Sequence, residues 1–283
     1  MPLNTDLIDK HYGTSTYEVT ADAIEKYARA TNDENERYLS GDDVVAPPVF
    51  PVVAAFNSFM SAAMDPDLGA DLLRLVHGAE EHVLHQPIRP GDVLTVETVL
   101  ESIDQKETGE TFTLKATEKN QDGDVLAEVR GTMYIRGSGS GSGRPPGATT
   151  QDQEPRTVVH EDTTKVDEDQ TYRYAEASGD HNPIHLDANT AQMAGLPGII
   201  LHGMCTMAIA TKGAVNGLAG GDPTRIKRVG VRLSKPVLPG QELTTKFWEE
   251  GASDVAGVKT YGFETYNPDG VAVIKNGIVE IAD

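Results

Sequence analysis

The chain is poor in cysteine, positive charge and long apolar runs, and each shortage removes a class of protein. Its single cysteine, Cys205, excludes an internal disulfide and any cysteine-based metal cluster. No apolar run reaches the roughly 20 residues that span a bilayer. The stretch Met1-Pro2-Leu3-Asn4-Thr5-Asp6 has no basic region followed by a hydrophobic one, so it does not read as a secretory signal. A cytosolic protein is expected. Lys and Arg together number 24 against 44 Asp and Glu, a formal net charge of -20. So negative a surface repels nucleic acid and anionic membranes, and neither is expected as a partner. Two readings of the charge stand. One is an acidic protein of no special origin; the other is adaptation to high salt, where screening removes the self-repulsion.

What is present is enough chain for two domains, 283 residues, and a visible seam between them. Gly137-Ser138-Gly139-Ser140-Gly141-Ser142-Gly143 is a Gly/Ser run, followed by Arg144-Pro145-Pro146-Gly147 and a polar stretch ending near Pro155. Without an apolar period it reads as a flexible linker over residues 137–155, separating domains 1–136 and 156–283.

The two sides of the seam look like copies. Tyr27-Ala28-Arg29-Ala30-Thr31-Asn32-Asp33-Glu34-Asn35 tracks Tyr174 to Asn182, with Asp33 lying 180 − 33 = 147 positions before Asp180. Pro87-Ile88-Arg89-Pro90-Gly91 matches Pro236-Val237-Leu238-Pro239-Gly240 at an offset of 239 − 90 = 149. Alternating strand-like segments follow both, Val93 to Leu100 and Glu242 to Glu249. Each side then carries a hairpin signal, Asn120-Gln121-Asp122-Gly123 and Asn267-Pro268-Asp269-Gly270. Each half reads as helix first and strands later. In the second, Asp187 can cap a short helix stopping at Gly195. A helix from about His202 to Asn216, ended by Gly217, has Lys212 as its only charge after His202, and a helix apolar nearly all round is buried. Three antiparallel strands wrapped around it make an α+β unit. Cys205, Met204 and Met207 read as core, and Trp248 as a strand residue.

The chemistry concentrates in Tyr174-Ala175-Glu176-Ala177-Ser178-Gly179-Asp180-His181-Asn182-Pro183-Ile184-His185. Asp180 and His185 lie five residues apart. Pro183 suits the first position of a helical turn with Asn182 as its cap, which folds His185 back toward Asp180. Two titratable groups facing one water can move protons, each transfer typically contributing about 10²–10⁴-fold. Asn182 can hold that water or orient the carboxylate. Leu201-His202-Gly203-Met204 opens the buried helix, where free N–H groups and the dipole favour an anion, and Gly203 allows close approach. A structural Asp–His pair at a turn is the plain alternative, since Gly-Asp-x-Asn-Pro is good turn chemistry regardless. A metal held by His181 and His185 is the other; Pro183 starts a new turn between them and spoils the register, so no metal is expected. Arg225-Ile226-Lys227-Arg228, with Arg232 and Lys235, is the one basic concentration, fit for phosphates or simply a solvated edge strand. His77, His82 and His85 form no recognisable ligand set.

The Tyr174–His185 stretch closely resembles the signature of the MaoC-like (R)-specific enoyl-CoA hydratases, the hydratase 2 family. It departs at Ala177, where the family more often has a larger aliphatic residue or glycine, and it keeps Ala191 six residues after His185. The resemblance implies a hot-dog fold, a buried helix in a curled antiparallel sheet, and the duplication then implies a double hot dog with one continuous sheet. It further implies reversible hydration of trans-2-enoyl-CoA to (R)-3-hydroxyacyl-CoA without a cofactor, with Asp180 and His185 as the catalytic pair and the Gly203 N–H polarising the thioester carbonyl. Asn182 joins this catalytic set, while His202, Arg225, Lys227 and Arg228 are assigned to substrate binding. Tyr38 stands where His185 would be, Glu36 replaces Pro183, and Phe50-Pro51-Val52-Val53 lacks the glycine. The first half is therefore expected to be a degenerate partner that lodges the acyl chain along Val49 to Met60. A homodimer of such chains is a further expectation. The rival activities are a hot-dog acyl-CoA thioesterase and a non-catalytic acyl-CoA binder or dehydratase scaffold.

Overall fold

The computed structural model describes residues 2–72, 74–137, 156–253 and 255–283. Apart from Gly137, the expected linker lies outside them. In the first half, β1 (His11–Glu18) precedes α1 (Ala21–Ala30), the one-turn α2 (Glu36–Leu39) and α3 (Pro51–Ala63). Then come β2 (Leu75–Leu84), β3 (Val93–Lys106), β4 (Gly109–Lys119) and β5 (Val125–Arg136). The second half repeats the series: β6 (His160–Lys165), α4 (Gln170–Ser178), α5 (Ala188–Met193), α6 (Gly203–Gly217), β7 (Ile226–Leu233), β8 (Glu242–Ala252), β9 (Val258–Tyr266) and β10 (Ala272–Ala282). Among the described residues no helix is long and apolar enough to cross a membrane.

All ten strands form one antiparallel sheet in the order β1-β3-β4-β5-β2-β7-β10-β9-β8-β6. Its two halves mirror each other about the β2–β7 pair. In that register Glu81 faces Gly230, and 230 − 81 = 149, the duplication offset, so the pseudo-two-fold axis passes there. Helix α3 packs on β1, β3, β4 and β5, and α6 packs on β6, β7, β8 and β10. Two curled sheets, each wrapped around one helix and joined edge to edge, make the double hot dog expected from the sequence. Cys205 and Met207 are fully buried, and Met204 and Trp248 nearly so.

The repeats reproduce each other in detail. The Val19 N–H donates to Asp92 O and the Val19 carbonyl accepts from Gly91 N–H; the Val166 N–H donates to Gln241 O and the Val166 carbonyl accepts from Gly240 N–H. Both glycines hold positive φ, +93° and +82°, as the tight entry to β3 and β8 requires. Tyr27 and Tyr174, 147 residues apart, meet with hydroxyl oxygens separated by 3.5 Å.

Two expectations are corrected. A strand precedes the first helix of each half, and four strands rather than three follow α6. The missed leading strands, β1 and β6, are sheet edges with little buried side-chain surface, so they show no apolar alternation. The missed β7 contains the basic run. Far from being an edge, it is a central strand, and its Arg228 is met by carboxylates of both neighbouring strands.

Candidate active site

Helix α4 ends at Gly179, whose φ of +78° reverses the chain into Asp180. The Asp180 N–H donates to Ser178 Oγ at 3.2 Å, and its Oδ1 accepts from the Asn182 N–H at 3.1 Å. Asn182 Oδ1 in turn caps a single 3₁₀ turn, Pro183–His185, by accepting from Ile184 N–H. The expected turn is thus present, and it carries His185 back over Asp180. Asp187 caps α5 through Thr190 N–H, and Ala191 is buried inside that helix.

Both histidines of the site are anchored by main-chain carbonyls. His185 Nδ1 lies 2.8 Å from Ile200 O, and His202 Nε2 lies 2.9 Å from Asp180 O. Each anchored nitrogen must carry the proton, which leaves the lone pair on His185 Nε2 and on His202 Nδ1. The rings stack at a centroid distance of 3.8 Å. Burial lowers the His185 pKa, with Ile200 O and Asp180 working against it. Burial and the neighbouring His185 push His202 down to about 3. Asp180 and a ligand atom from each ring lie within 4.8 Å of one another. Stacked rings send their in-plane lone pairs side by side, not onto one point, which argues against a metal ion shared between them.

Gly203 begins α6, so its N–H has no partner within the helix. A Cβ there would collide with the Leu233 side chain on β7. Glycine thus keeps space between the helix start and the strand, with Asp180 held alongside through His202.

The first half builds the same turn and closes it. Asp33 Oδ1 accepts from Asn35 N–H at 3.1 Å, as Asp180 does from Asn182. Tyr38, in the place of His185, is fully buried and its hydroxyl has no hydrogen-bond partner among the described residues. Pro51 opens α3 and has no N–H to offer. Asn32, at the position of Gly179, donates to Lys165 O, Asp167 and Gln170, and Arg173 clasps its side-chain oxygen, so the second half seals this turn. Asp33 is 5% exposed, and burial raises its pKa to about 6. A shallow cleft stands where symmetry puts the counterpart of the Gly203 site, lined by Val45, Pro51, Leu84, Ile88 and Lys227 among others.

The basic residues assigned to substrate are mostly engaged. Arg225 donates to Ala282 O and Ala219 O, and Arg228 pairs with Glu81 and Glu280. Lys227 bonds Thr224 O and borders that first-half cleft. His77 and His82, unremarkable in the sequence, both bond Glu80. A β-bulge brings His77 and Glu80 together, and bulges leave no spacing signal.

Comparison with known proteins agrees with this frame. Residues 148–267 match the MaoC like domain, and residues 6–129 match the FAS1-like dehydratase domain region. The chain is 32% identical over 213 residues to 3-hydroxyacyl-thioester dehydratase Y of Mycobacterium tuberculosis, covering 72% of this chain and 68% of that protein. It is 29% identical over 221 residues to mouse peroxisomal multifunctional enzyme type 2, covering 76% of this chain but only 30% of that longer protein. A MaoC-like dehydratase from Phytophthora capsici superposes with a TM-score of 0.84 at 24% identity, covering 99% and 98% of the two chains, a likeness of fold. The chain belongs to the MaoC-like dehydratase family.

Proposed function

We propose that the chain reversibly hydrates trans-2-enoyl-CoA to (R)-3-hydroxyacyl-CoA, at one site in its second half. The observation that carries this reading is the convergence of the Asp180 carboxylate, the unprotonated Nε2 of His185 and the free helix start at Gly203. Asp180 and His185 hold the water. The water's hydroxyl bonds to the β-carbon of the substrate while its proton is taken by the pair. A proton returns to the α-carbon, so the pair ends each turnover as it began. The Gly203 N–H donates a hydrogen bond to the thioester oxygen as negative charge gathers there, helped by the positive end of α6. Asn182 shapes the turn that sets the pair. His202 supports it from below, aligning His185 by stacking and anchoring Asp180 through its carbonyl.

The domain limits 1–136 and 156–283, joined through residues 137–155, form part of this proposal. The first half lodges the acyl chain, a role supported by the apolar cleft beside α3. A cytosolic location, a homodimeric assembly and adaptation of the acidic surface to salt complete the reading. The relatives named above are a thioester dehydratase and a peroxisomal multifunctional enzyme, which supports a thioester substrate but does not fix the compartment.

The test is loss of enoyl-thioester absorbance with the purified chain over four-carbon to long-chain enoyl-CoAs. Coupling to an (S)-specific 3-hydroxyacyl-CoA dehydrogenase should yield no steady NADH. Steady NADH would overturn the stereochemistry, and free thiol release in place of hydration would overturn the reaction in favour of a thioesterase.

A further inference from the structure

Strand β2 buries a carboxylate between two imidazoles. Glu80 is enclosed completely, with His77 Nε2 2.8 Å from its Oε2 and His82 Nε2 3.1 Å from its Oε1. The remaining His82 nitrogen faces Pro48 O at 3.2 Å. The copy of this strand in the second half supplies an internal control. At the 149-residue offset Val229 takes the place of Glu80 (229 − 80 = 149) and Val231 that of His82 (231 − 82 = 149), both buried. The equivalent strand thus folds with valines at these places, and a buried ionic cluster is often neutral or costly beside such apolar packing.

What distinguishes β2 is its neighbour. His77, at the open end of the cluster with its side chain 25% exposed, is within electrostatic reach of Asp180. The bulge between His77 and Ala79 turns this ring out of the strand's alternation. Across the sheet Ala79 faces Arg232, next to the Leu233 that bounds the space at Gly203.

We propose that Glu80 is a positioning residue for the active site, holding His77 as a fixed positive charge within electrostatic reach of Asp180, so that the first half completes the electrostatics of a site otherwise built by the second. This inference rests on the site reading above. Burial opposes a charge on His77; Glu80, the main chain at Ala79 and Asp180 outweigh it and raise the pKa. Burial likewise opposes the Glu80 carboxylate, and His77 and His82 together outweigh that and lower its pKa. A cation within reach of Asp180 steadies the negative charge that passes among carboxylate, water and thioester oxygen.

The experiment compares the full-length wild type with Glu80→Gln and with the Glu80→Val/His82→Val pair, which copies β7. Ring ¹⁵N NMR of His77 follows its titration, and enoyl-CoA hydration gives kcat and KM. The wild-type ring is expected to titrate above free histidine, and its midpoint to fall in both variants. With the fold intact by circular dichroism, kcat is expected to drop about tenfold and KM to change less than about twofold. The valine pair is expected to melt no lower than the wild type. A wild-type His77 that titrates below free histidine overturns the proposal, as does an unchanged kcat once the midpoint has fallen. The NMR arm needs no substrate: a wild type with a raised His77 but no turnover tells against the reaction, not against the relay.

Discussion

His185 and His202 stack at 3.8 Å, and each commits one N–H to a main-chain carbonyl, Ile200 for the first and Asp180 for the second. Each ring is thereby held in one tautomer and one orientation, while burial, against the pull of those carbonyls, lowers the pKa of both.

The halves are expected to be functionally unequal. Asp180→Asn and His185→Ala are each expected to lower kcat by at least about 10² with an unchanged circular dichroism spectrum. Asp33→Asn, in the sealed turn, is expected to leave kcat within about fivefold. Equal losses from the Asp33 and Asp180 variants would show that the site is shared differently.

Gly203→Ala introduces a Cβ into the Leu233 side chain and fills the approach to the helix start. It is expected to lower kcat/KM by about 10² or more and to reduce the melting temperature. Adding Leu233→Ala relieves the collision, so stability is expected to recover while activity does not. Recovery of both would mean that Gly203 serves packing alone.

His202 makes stability depend on pH, with a definite sign. Its pKa of about 3 in the fold lies below that of an unfolded histidine near 6.5, so the unfolded chain binds the extra proton between those values. The contribution is complete above about pH 6.5 and is lost as pH falls toward 3, on the order of 5 kcal/mol over the whole window. Asp33, raised to about 6, acts in the opposite sense between about pH 4 and 6, because the folded state there holds its proton. Comparing urea unfolding of the wild type and His202→Asn isolates the histidine. The variant is expected to show a flatter decline between pH 7 and pH 5, and parallel curves would refute the assignment.

The charge of -20 predicts a melting temperature that rises with salt. Thermal melts from roughly 0.1 M to 2 M KCl test this, since screening shortens the reach of like-charge repulsion. A flat or falling midpoint would remove the high-salt reading.

Much of the turn that carries Asp180 and His185 is legible in the sequence, because it is local. Gly179, Asn182, Pro183 and Asp187 act on residues one to four positions away, through positive φ, side-chain caps and a restrained ring, and the backbone follows them. The duplication was legible too, since matched turns recur at nearly constant offsets. The leading strands β1 and β6 and the central strand β7 were not. Edge strands need no apolar alternation, and Arg228 of β7 looks solvated until its partners Glu81 and Glu280 are known.

By itself, then, the sequence determined what depends on neighbours along the chain: the capped turn that presents Asp180 and His185, the glycine at the head of α6, and the repeat that implies two similar units. Tertiary structure alone decided how those units share a sheet, that Arg228 serves an ion pair across the β2–β7 seam, and that His77, bonded to Glu80 of its own half, comes within electrostatic reach of Asp180 in the other. Such contacts join residues about a hundred or more positions apart, and their existence depends on strand register and a bulge, which no local spacing encodes.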